Sequence, residues 1–452
     1  MIRGEQKLKT AYFCSRCGAA HPKWQGQCRE CGAWNSLIEE RVAARKKTNA
    51  ASSSAEAVRM TDITDPLVRG YQSGIAEFDR VLGGQLLPGM TVLVAGDPGI
   101  GKSTLLLQVA EAYSRQGTPV LYVTGEESLP QIKSRARRLA VTGENIDVVN
   151  DTSLEAILAV AEKGRFGVVL VDSIQTVSCA QFASPPGTVA QVREAAGALI
   201  AMAKASGKSL FLVGHVTKDG IIAGPKVLEH MVDTVISFEG DSSHLYRVLR
   251  ATKNRFGSVL EIGLFEMTSS GLAEVANPSS LFLGERAASG AVVAGICEGT
   301  RPLLVEVQAL VTSSSYGTPQ RVAGGIDGKK LSLLLAILEK RCGYPMAAND
   351  VFVSLAGGLK VFETALDLPV VTAIVSSLKN RPVDPKTVVI GEIGLSGEVR
   401  GVAAIDQRAA EAAKLGFTTV VLPQANLAQV VGTSIKLAGV KDLQSALDIV
   451  LG

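Results

Sequence analysis

The sequence has no long apolar run and almost no net charge. No stretch of the chain approaches the roughly 18–20 apolar residues that a membrane span requires. No secretory apolar region follows the polar start Met1–Glu5, so we expect a cytoplasmic protein with no membrane partner, in which cysteines stay reduced. A formal net charge of +3 does not by itself identify a nucleic-acid partner. The 452 residues, of which 46% are hydrophobic and 20% charged, indicate a globular chain long enough for about three domains.

A glycine-rich stretch near residue 100 has the spacing G-x-x-x-x-G-K-S, which is typical of phosphate-binding loops. Glycines let the backbone wrap closely around a phosphate, and the turned-in N–H groups form an anion site at the start of the next helix. A strand-like apolar run at 91–95 precedes the loop, and apolar helix residues follow it. The sequence therefore predicts ATP and Mg²⁺ as cofactors, with Lys102 at the β- and γ-phosphates and Ser103 at Mg²⁺. The candidate ligands are Gly96, Asp97, Pro98, Gly99, Ile100, Gly101, Lys102, Ser103 and Thr104.

Four of the seven cysteines form two C-x-x-C pairs with ten residues between them. Each pair places two thiolates on a tight turn, and four thiolates suit the tetrahedral coordination of a structural Zn²⁺. Two disulfides or a redox pair are the alternatives, which a reducing compartment disfavours. Trp24 and Trp34 are expected to pack the small core of this module, and stacking on a base is the alternative. The predicted Zn²⁺ ligands are Cys14, Cys17, Cys28 and Cys31.

The composition changes after residue 40. Residues 45–54 are charged and then small and polar, without the periodicity of a helix or strand, which is typical of a flexible linker. Beyond it, strands alternate with helices as in a largely parallel sheet, and after about residue 277 the pattern changes again. We therefore predict a zinc module at 1–40, a linker at 41–59, an ATPase domain at 60–276 and a further domain at 277–452.

Polar side chains follow three of the predicted strands. Glu126 and Glu127 follow the first, Asp172 and Ser173 the second, and His215 the third. Because open α/β sheets bind ligands at the carboxyl ends of their strands, these side chains are expected to converge on the nucleotide. Asp172 would support Mg²⁺ through its water shell, and Glu126 or Glu127, with Glu126 preferred, would orient and polarise the attacking water. Each is also compatible with a polar strand end, and His215 with sensing the γ-phosphate or capping its strand.

These motifs together resemble the RecA-type motor core. Three further segments are similar to the RadA (Sms) family of bacterial DNA repair proteins: the four-cysteine module, the run from His215 to Asp233, and the pentapeptide Lys253-Asn254-Arg255-Phe256-Gly257. The resemblance covers essentially the whole chain. It implies a DNA-stimulated ATPase that processes branched recombination intermediates and extends heteroduplex by branch migration beside the RecA recombinase. Members of this family resemble ring helicases, which implies a homohexamer acting on single-stranded and branched DNA.

The pentapeptide also has a physical interpretation. Residues 246–252 have the pattern of a strand, so Lys253 and Arg255 are expected to project to one side. Two adjacent cations suit the γ-phosphate of a neighbouring subunit's ATP, where they would be catalytic in the manner of an arginine finger. A solvated strand end is the alternative. By resemblance to RecA-like rings, whose corresponding region lines the DNA path, Lys218 and Lys226 are candidate phosphate contacts.

The last hundred residues resemble the proteolytic domain of Lon proteases, in Gly391–Val399 and in Ala412–Asn426. Lon proteases use a Ser nucleophile activated by a Lys. Superimposing their pattern places Ala365 at the Ser and Asp406 at the Lys, and a shifted alignment offers Arg408, whose guanidinium stays charged and cannot act as that base. We therefore predict an inactive domain that supports ring assembly and DNA binding. Its candidate phosphate contacts are Lys379, Arg381, Lys386, Arg400 and Lys414.

The predicted fold class is thus α/β: a RecA-like P-loop ATPase core, an N-terminal zinc ribbon and a C-terminal α+β Lon-protease-like domain. Three functions compete: a DNA-dependent ATPase motor, an ATP-dependent protease with a Lon-like domain, and a RecA-like autokinase or signalling scaffold. The motor is preferred because the motifs throughout the chain agree with it. ATPase rates with and without single-stranded DNA, measured beside casein degradation, distinguish the three.

Overall fold

A computed structural model describes residues 8–43, 59–62, 69–215, 226–240, 246–275, 277–284, 288–314 and 317–452. The chain divides into two compact units, residues 1–274 and 275–452. Most of the predicted linker lies outside the described residues, and so do Lys218 and the side chain of Lys226. Within the described ranges, no helix combines the length and the apolar character needed to cross a membrane.

The first unit begins with a small antiparallel sheet that carries the cysteines. Its strand order is β2-β1-β3, and β1 pairs along its whole length with β3. The C-x-x-C pairs lie on the turn after β1 and on a second turn before β3, where backbone hydrogen bonds close each turn. The strands are β1 (Leu8–Cys14), β2 (Ala20–His21) and β3 (Leu37–Ala43).

A nine-stranded sheet forms the body of the first unit, in the order β12-β11-β10-β9-β4-β8-β7-β5-β6. The strands from β9 to β6 run parallel to one another, whereas β10, β11 and β12 extend the sheet as an antiparallel meander. The strands are β4 (Thr91–Gly96), β5 (Val120–Thr124), β6 (Ile146–Asn150), β7 (Val168–Asp172), β8 (Ser209–His215), β9 (Thr234–Glu239), β10 (Tyr246–Asn254), β11 (Ile262–Thr268) and β12 (Gly271–Glu274).

Helices cover both faces of this sheet. Successive residues of β4 belong to two different apolar clusters, Val92 and Val94 to one and Leu93 to the other, as expected for a strand buried on both faces. Helices α2 and α3 contribute to the first cluster, and α4 and α5 to the second. The helices are α1 (Ala76–Leu82), α2 (Lys102–Arg115), α3 (Leu129–Arg138), α4 (Leu154–Lys163), α5 (Val189–Ser206) and α6 (Lys226–Glu229). The carboxyl ends of β4, β5, β7 and β8 consequently meet at one open edge.

The second unit is a mixed α+β structure. Its seven-stranded sheet has the order β15-β16-β14-β13-β17-β20-β21. A separate two-stranded ribbon, β18-β19, comes between β17 and β20 in the sequence. The strands are β13 (Ala291–Glu298), β14 (Arg301–Ser313), β15 (Arg321–Gly324), β16 (Asn349–Leu355), β17 (Thr387–Val389), β18 (Glu392–Ile393), β19 (Val399–Arg400), β20 (Thr419–Pro423) and β21 (Lys436–Val440). The helices are α7 (Gly328–Cys342), α8 (Asp367–Lys379), α9 (Ile405–Lys414) and α10 (Leu443–Leu451). The predicted fold class is confirmed in this unit and in the first.

Helix α8 is the buried helix of the second unit. Every residue from Asp367 to Ser376 is buried, because the helix is apolar on nearly all sides. Its charged first residue is compensated: Asp367 Oδ2 accepts from Lys330 Nζ at 2.8 Å and from the backbone N–H of Ile393 at 3.1 Å. Asn380, in the left-handed conformation, follows the last helical residue, Lys379, and a 3₁₀ turn at Thr364–Leu366 precedes the helix.

Candidate nucleotide and metal sites

The phosphate loop joins the central strand β4 to helix α2. Gly101 has φ of 117°, a left-handed conformation that glycine adopts without a steric penalty. A Cβ atom on Gly96 would lie 2.6 Å from the carbonyl oxygen of Phe238, so the loop backbone packs closely on β9. Asp97, Pro98 and Gly99 are exposed at the tip of the loop, and Ser103 and Thr104 are half-buried in the first turn of α2. The loop thus presents its N–H groups at a helix start, where an anion is stabilised.

Lys102 is buried inside the loop. Its Nζ donates to the carbonyl oxygens of Gly96 at 2.7 Å and Asp97 at 2.8 Å. Burial lowers the pKa of Lys102, while the negative charges of Asp172 and Glu126 oppose that effect. The ammonium group is therefore held inside the loop, beside the negative charges of Asp172 and Glu126.

Asp172 ends β7 beside the phosphate loop. Tyr122 donates its hydroxyl to Asp172 Oδ2 at 2.8 Å, whereas Oδ1 is buried and has no hydrogen-bond partner among the described residues. A buried carboxylate oxygen without a partner requires an explanation. Oxygen ligands and bound water are what Mg²⁺ prefers, so the free oxygen fits an ion or its hydration shell. The residues present therefore fit the predicted Mg²⁺.

Three strand ends meet at Glu126, which follows β5. Its Oε1 accepts from Ser173 Oγ, after β7, at 2.6 Å and from His215 Nε2, at the end of β8, at 3.1 Å. The hydrogen bond from His215 is the main cause that lowers the pKa of Glu126 to about 2; partial burial raises it, and Ser173 lowers it further. Glu126 is therefore a carboxylate throughout the physiological range.

Glu127 points away from this cluster. It forms an ion pair with Arg135 of α3, and its backbone N–H donates to Thr124 Oγ1 at 3.1 Å. Of the two glutamates that the sequence left as alternatives, Glu126 is the one beside the ends of β7 and β8. The two glutamates differ because Arg135, eight residues after Glu127, pairs with Glu127 and not with Glu126.

His215 lies next to the phosphate loop, because it pairs with Gly96 across β8 and β4. Its Nε2 is used by Glu126, and its Nδ1 is buried without a hydrogen-bond partner in the described part of the chain. A ring nitrogen in this position suits a water molecule or, when the ring is protonated, a phosphate oxygen.

The two C-x-x-C turns bring their four thiols together. The Sγ atoms lie within 4.8 Å of one another, with 3.7 Å between Cys14 and Cys31 and 3.6 Å between Cys17 and Cys28. This spacing and the S₄ donor set fit tetrahedral Zn²⁺. His21 was not among the predicted residues of this module. Its Nε2 lies 3.5 Å from Cys28 Sγ, and Gln25 Nε2 contacts its Nδ1 at 2.8 Å. A histidine between two cysteine pairs is the signal that could have revealed it.

Family models match three parts of the chain. A model described as a rubredoxin metal binding domain matches residues 12–39, one described as an AAA domain matches 57–220, and one described as subunit ChlI of Mg-chelatase matches 332–426. The last of these covers much of the stretch for which the Lon-like domain was predicted.

Relatives match the chain from end to end. The DNA repair protein RadA of Halalkalibacterium halodurans is 47% identical and aligns over 99% of both chains. Those of Pseudomonas aeruginosa and Escherichia coli K12 are 48% and 46% identical, over 98% of this chain and 99% and 98% of their own. The chain belongs to the RadA family of DNA repair proteins. Among solved structures, a KaiC-like protein of Pyrococcus horikoshii aligns over 46% of this chain and 99% of its own, with 22% identity and a TM-score of 0.39.

The cofactors of this RadA-family chain follow from its domains and donor groups. The ATPase domain takes ATP with Mg²⁺, and the ribbon with four adjacent thiols takes Zn²⁺. Both cofactor predictions are confirmed.

The two tryptophans of the zinc ribbon are solvent-exposed, so the prediction that they pack its core is wrong. Trp24 is 57% exposed and Trp34 is 71% exposed, with the Trp34 ring lying over Gly26. The buried core of the ribbon consists instead of Cys14, Ala19, Cys28 and Leu37. With a metal and four cysteines at its centre, so small a module has no interior volume left for an indole ring.

The outer face of the ribbon contacts the segment that follows β7. The rings of Phe13 and Phe182 meet edge to face with centroids 6.0 Å apart, and Ser184 Oγ donates to Glu40 at 3.0 Å. Arg193 of α5 donates to the carbonyl oxygen of Gly18. Burial raises the pKa of the Glu40 carboxyl, and the hydrogen bond from Ser184 offsets part of that rise.

Arg247 supports the phosphate loop from β10, which the sequence analysis missed. Its Nε donates to the carbonyl oxygen of Ile100 at 3.1 Å, and its NH1 to that of Tyr246 at 2.8 Å. Arg247 is buried on the same side of β10 as Leu249 and Ala251. A charged residue in the apolar register of a strand was the available signal.

Lys253 and Arg255 of the family's pentapeptide lie together, near Asp233. Lys253 Nζ donates to the carbonyl oxygens of Glu229 at 2.6 Å and Val232 at 2.8 Å, and Arg255 NH1 lies 3.3 Å from Asp233 Oδ1. The strand pairing shifts register between Ala251 and Lys253, so the simple alternation that predicted a common side does not hold there. The segment just before β9, residues 229–233, contacts both cations.

In the second unit, the two positions superimposed on the Lon dyad lie in different surroundings. Ala365 is buried in an apolar cluster with Ile390 and Ile405, whereas Asp406 is exposed. Arg408, one turn away, is buried and forms an ion pair with Glu363. The inactivity of the domain stays a prediction, and these placements support it.

The five cations proposed as phosphate contacts each have a neighbour within the second unit. Lys379 lies over the ring of Tyr344 and Lys386 over that of Phe417, with 5.3 and 5.9 Å to the ring centroids. Arg381 NH1 donates to the carbonyl oxygen of Gly452 at 2.7 Å. Arg400 pairs with Glu392 and Glu398, and Lys414 with Glu411. Their role in DNA binding remains a prediction.

Proposed function

We propose that this chain is a DNA-stimulated ATPase motor that works as a homohexameric ring on single-stranded and branched DNA and promotes branch migration beside the RecA recombinase. The observation that carries the proposal is the position of Lys253 and Arg255 relative to the phosphate loop. The phosphate loop lies at the carboxyl ends of the parallel strands, and the two cations lie at the opposite ends of those strands. A complete catalytic site would therefore combine the loop of one subunit with the cations of another.

The pairing of the strands supports this separation. Gly96 of β4 pairs with Phe238 of β9, at the carboxyl edge, whereas Asn254 of β10 pairs with Thr234, at the other end of β9. Four residues of β9 separate the two levels, which corresponds to about 13 Å along the strand. The cations are anchored still further from the loop, around Asp233. They therefore cannot reach the phosphates of their own subunit.

The groups at the carboxyl ends of the parallel strands have different roles in ATP hydrolysis. Lys102 exchanges its two loop carbonyls for the β- and γ-phosphates, and the loop N–H groups hold the same anion. Ser103 and Asp172 would hold Mg²⁺ or its water shell, and the ion would supply charge neutralisation at the phosphate oxygens. Arg255 and Lys253 of the neighbouring subunit approach the γ-phosphate from outside, where positive charge stabilises the transition state.

Glu126 orients the attacking water. Its low pKa makes it a weak proton acceptor but a permanently charged hydrogen-bond acceptor, so that it fixes and polarises the water before any proton moves. His215 and Ser173 occupy one of its oxygens and leave the other for the water. A change at the phosphate that moves His215 also changes the charge environment of Glu126.

DNA binding is proposed from the names of the relatives and from the zinc ribbon. The proteins that match this chain throughout are DNA repair proteins. The ribbon, with Zn²⁺ held by its four cysteines, exposes two indole rings, and flat aromatic surfaces beside cations suit single-stranded DNA.

The test measures ATP turnover with and without single-stranded DNA, and branch migration on a labelled three-strand junction, for the wild-type chain and for Lys102→Ala. We expect DNA to stimulate turnover and ATP to drive strand exchange, with both lost in the variant. Turnover that ignores DNA would contradict the DNA motor. Turnover that responds to DNA without moving a junction would contradict branch migration alone.

A further inference from the structure

Asp233 is surrounded by three cations at the amino-terminal edge of the ATPase sheet. The buried carboxylate accepts through Oδ2 from the backbone N–H of Thr91 at 3.1 Å and from Thr91 Oγ1 at 2.7 Å. Its Oδ1 lies 3.3 Å from Lys204 Nζ and 3.3 Å from Arg255 NH1. Lys253, on its two carbonyls, is close enough for its charge to interact with Asp233.

The positive charge at this point exceeds what one carboxylate needs. Burial raises the pKa of Asp233, but the hydrogen bonds from Thr91 and Lys204 outweigh it and lower the pKa, so the group is ionised at neutral pH. Lys204 and Arg255 share a single oxygen of this carboxylate and repel each other. Glu229 lies near Lys253 and balances part of that third charge.

The two cations on Oδ1 differ in what else they can do. Lys204 lies in the last turn of α5, where a cation is favoured by the helix dipole. Arg255 follows β10, its side chain is 54% exposed, and its backbone N–H donates to the carbonyl oxygen of Asp233 at 3.2 Å. The backbone of Arg255 is thus fixed while its guanidinium is free to turn outward, and a planar guanidinium matches a phosphate.

The energetic obstacle to such a turn is the carboxylate that Arg255 leaves behind. A buried charge that loses its partner is strongly destabilising. With Lys204 in place, Asp233 keeps a counter-charge and both hydrogen bonds from Thr91 after Arg255 has left.

We propose that Lys204 is a positioning residue for ATP hydrolysis: it remains on Asp233 as the permanent counter-ion, so that Arg255 is free to leave for the γ-phosphate held by the neighbouring subunit. This inference rests on the proposed trans action of Arg255. Without Lys204, Arg255 would be the principal counter-charge on Oδ1 and would be retained there.

The experiment compares Lys204→Met with Lys204→Arg in the full-length protein, with DNA present. Lys163→Met is the matched control, since Lys163 is also an exposed lysine in the last turn of a helix. We expect Lys204→Met to lower kcat about tenfold, the size of a coupling energy of ~1.4 kcal/mol, with KM for ATP unchanged. Lys204→Arg and Lys163→Met should keep the wild-type kcat, and thermal unfolding of each variant checks that the fold persists.

Replacing Asp233 then tests whether Lys204 affects kcat through Asp233. In an Asp233→Asn background there is no charge to retain Arg255, so adding Lys204→Met should change kcat less than twofold, a range typical of uncoupled sites. A tenfold loss that persists in this background would overturn the proposal. So would a wild-type kcat in Lys204→Met when Arg255→Ala is inactive, which would leave the trans action of Arg255 intact. Full activity of Arg255→Ala would instead overturn the trans action itself, and this inference with it.

Discussion

His215 Nε2 donates to Glu126 Oε1 across 3.1 Å, so the residue that ends β8 sets the charge of the carboxylate that follows β5. Strand β7 lies between these two strands, and its own Ser173 completes the cluster. The glutamate proposed to orient water is therefore linked, through His215, to the strand that pairs with β4 and its phosphate loop.

The first prediction concerns this pair. His215→Ala removes the main cause of the low pKa, so the pKa of Glu126 should rise from about 2 towards the ordinary value for glutamate, ~4.3. Because the wild-type carboxylate is charged above its lowered pKa, the variant should need a higher pH to stay ionised. A carboxyl NMR titration of Glu126 measures this. His215→Gln, which keeps an N–H donor, is the control, and an unchanged titration in His215→Ala would show that the hydrogen bond does not set the charge.

The second prediction concerns the metal. Protein purified without chelators should contain one Zn²⁺ per chain, measured by elemental analysis, and Cys28→Ser should lose most of it because a hydroxyl is a poor substitute for a thiolate. His21→Ala should keep the metal but bind it more weakly, by about 10–100-fold, as expected for a residue that contacts a ligand. Full zinc content in Cys28→Ser would contradict the four-cysteine site.

The third prediction concerns the division of the site between subunits. Lys102→Ala and Arg255→Ala should each be inactive alone, the first for want of the phosphate-binding charge and the second for want of the trans cation. Mixed assemblies contain some interfaces with both groups intact, so mixing the two proteins should restore part of the ATP turnover. A mixture of Lys102→Ala with the double variant Lys102→Ala/Arg255→Ala should not recover.

If mixed assemblies form, shown by native mass spectrometry, and turnover still fails to return, then Lys253 and Arg255 do not act across a boundary. Their distance from the phosphate loop of the same chain would then exclude both from direct contact with ATP.

Local patterns were sufficient for the groups that lie on one turn or one strand end. The phosphate loop, Asp172 and the two cysteine pairs could each be located from a few adjacent residues, because neighbouring positions in the chain determine the geometry. The exposed tryptophans could not, since the sequence does not show how little volume a ribbon around a metal encloses.

Groups that depend on distant partners were beyond sequence reasoning. Which of Glu126 and Glu127 lies beside the ends of β7 and β8 depends on Arg135 of the next helix, which pairs with Glu127. The contact of Arg247 with the phosphate loop depends on the approach of β10. Asp233 ends the family segment that runs from His215, so the residue itself could be noticed in the sequence. The convergence of Lys204, Lys253 and Arg255 on it could not be predicted, because it requires α5, β9 and β10 to be assembled.

The fourth prediction is that the second unit has no peptidase activity. The buried Ala365 offers no hydroxyl, and Ser376 is used internally, its Oγ donating to the carbonyl oxygen of Arg381 and accepting from the backbone N–H of Gly290. Casein and small peptide esters should remain intact with or without ATP. Cleavage that disappears in Ser354→Ala, Ser376→Ala or Ser396→Ala would reveal a nucleophile that this arrangement does not predict.

The last prediction concerns the ion pair between Arg408 and Glu363, which lies where a shifted Lon alignment would put a catalytic amine. Arg408 is fully buried, and besides Glu363 it donates to the carbonyl oxygens of Gly295 at 2.9 Å and Ala403 at 3.1 Å. Glu363 in turn accepts from the backbone N–H of Cys297 at 2.8 Å. The pair therefore joins α9 to β13 through a buried guanidinium, while the side chain of Glu363 is 23% exposed.

Glu363→Ala would leave that guanidinium buried without its counter-charge, which typically costs about 3–5 kcal/mol. We expect the free energy of unfolding of the second unit to fall by that amount in denaturant titrations. Glu398→Ala is the control, because its ion pair with Arg400 is exposed and screened by water, so its loss should cost much less. Equal effects of the two substitutions would mean that Arg408 is stabilised by its carbonyl partners alone. A larger loss in Glu363→Ala would show that the buried ion pair of Arg408 with Glu363 is needed for the stability of the second unit.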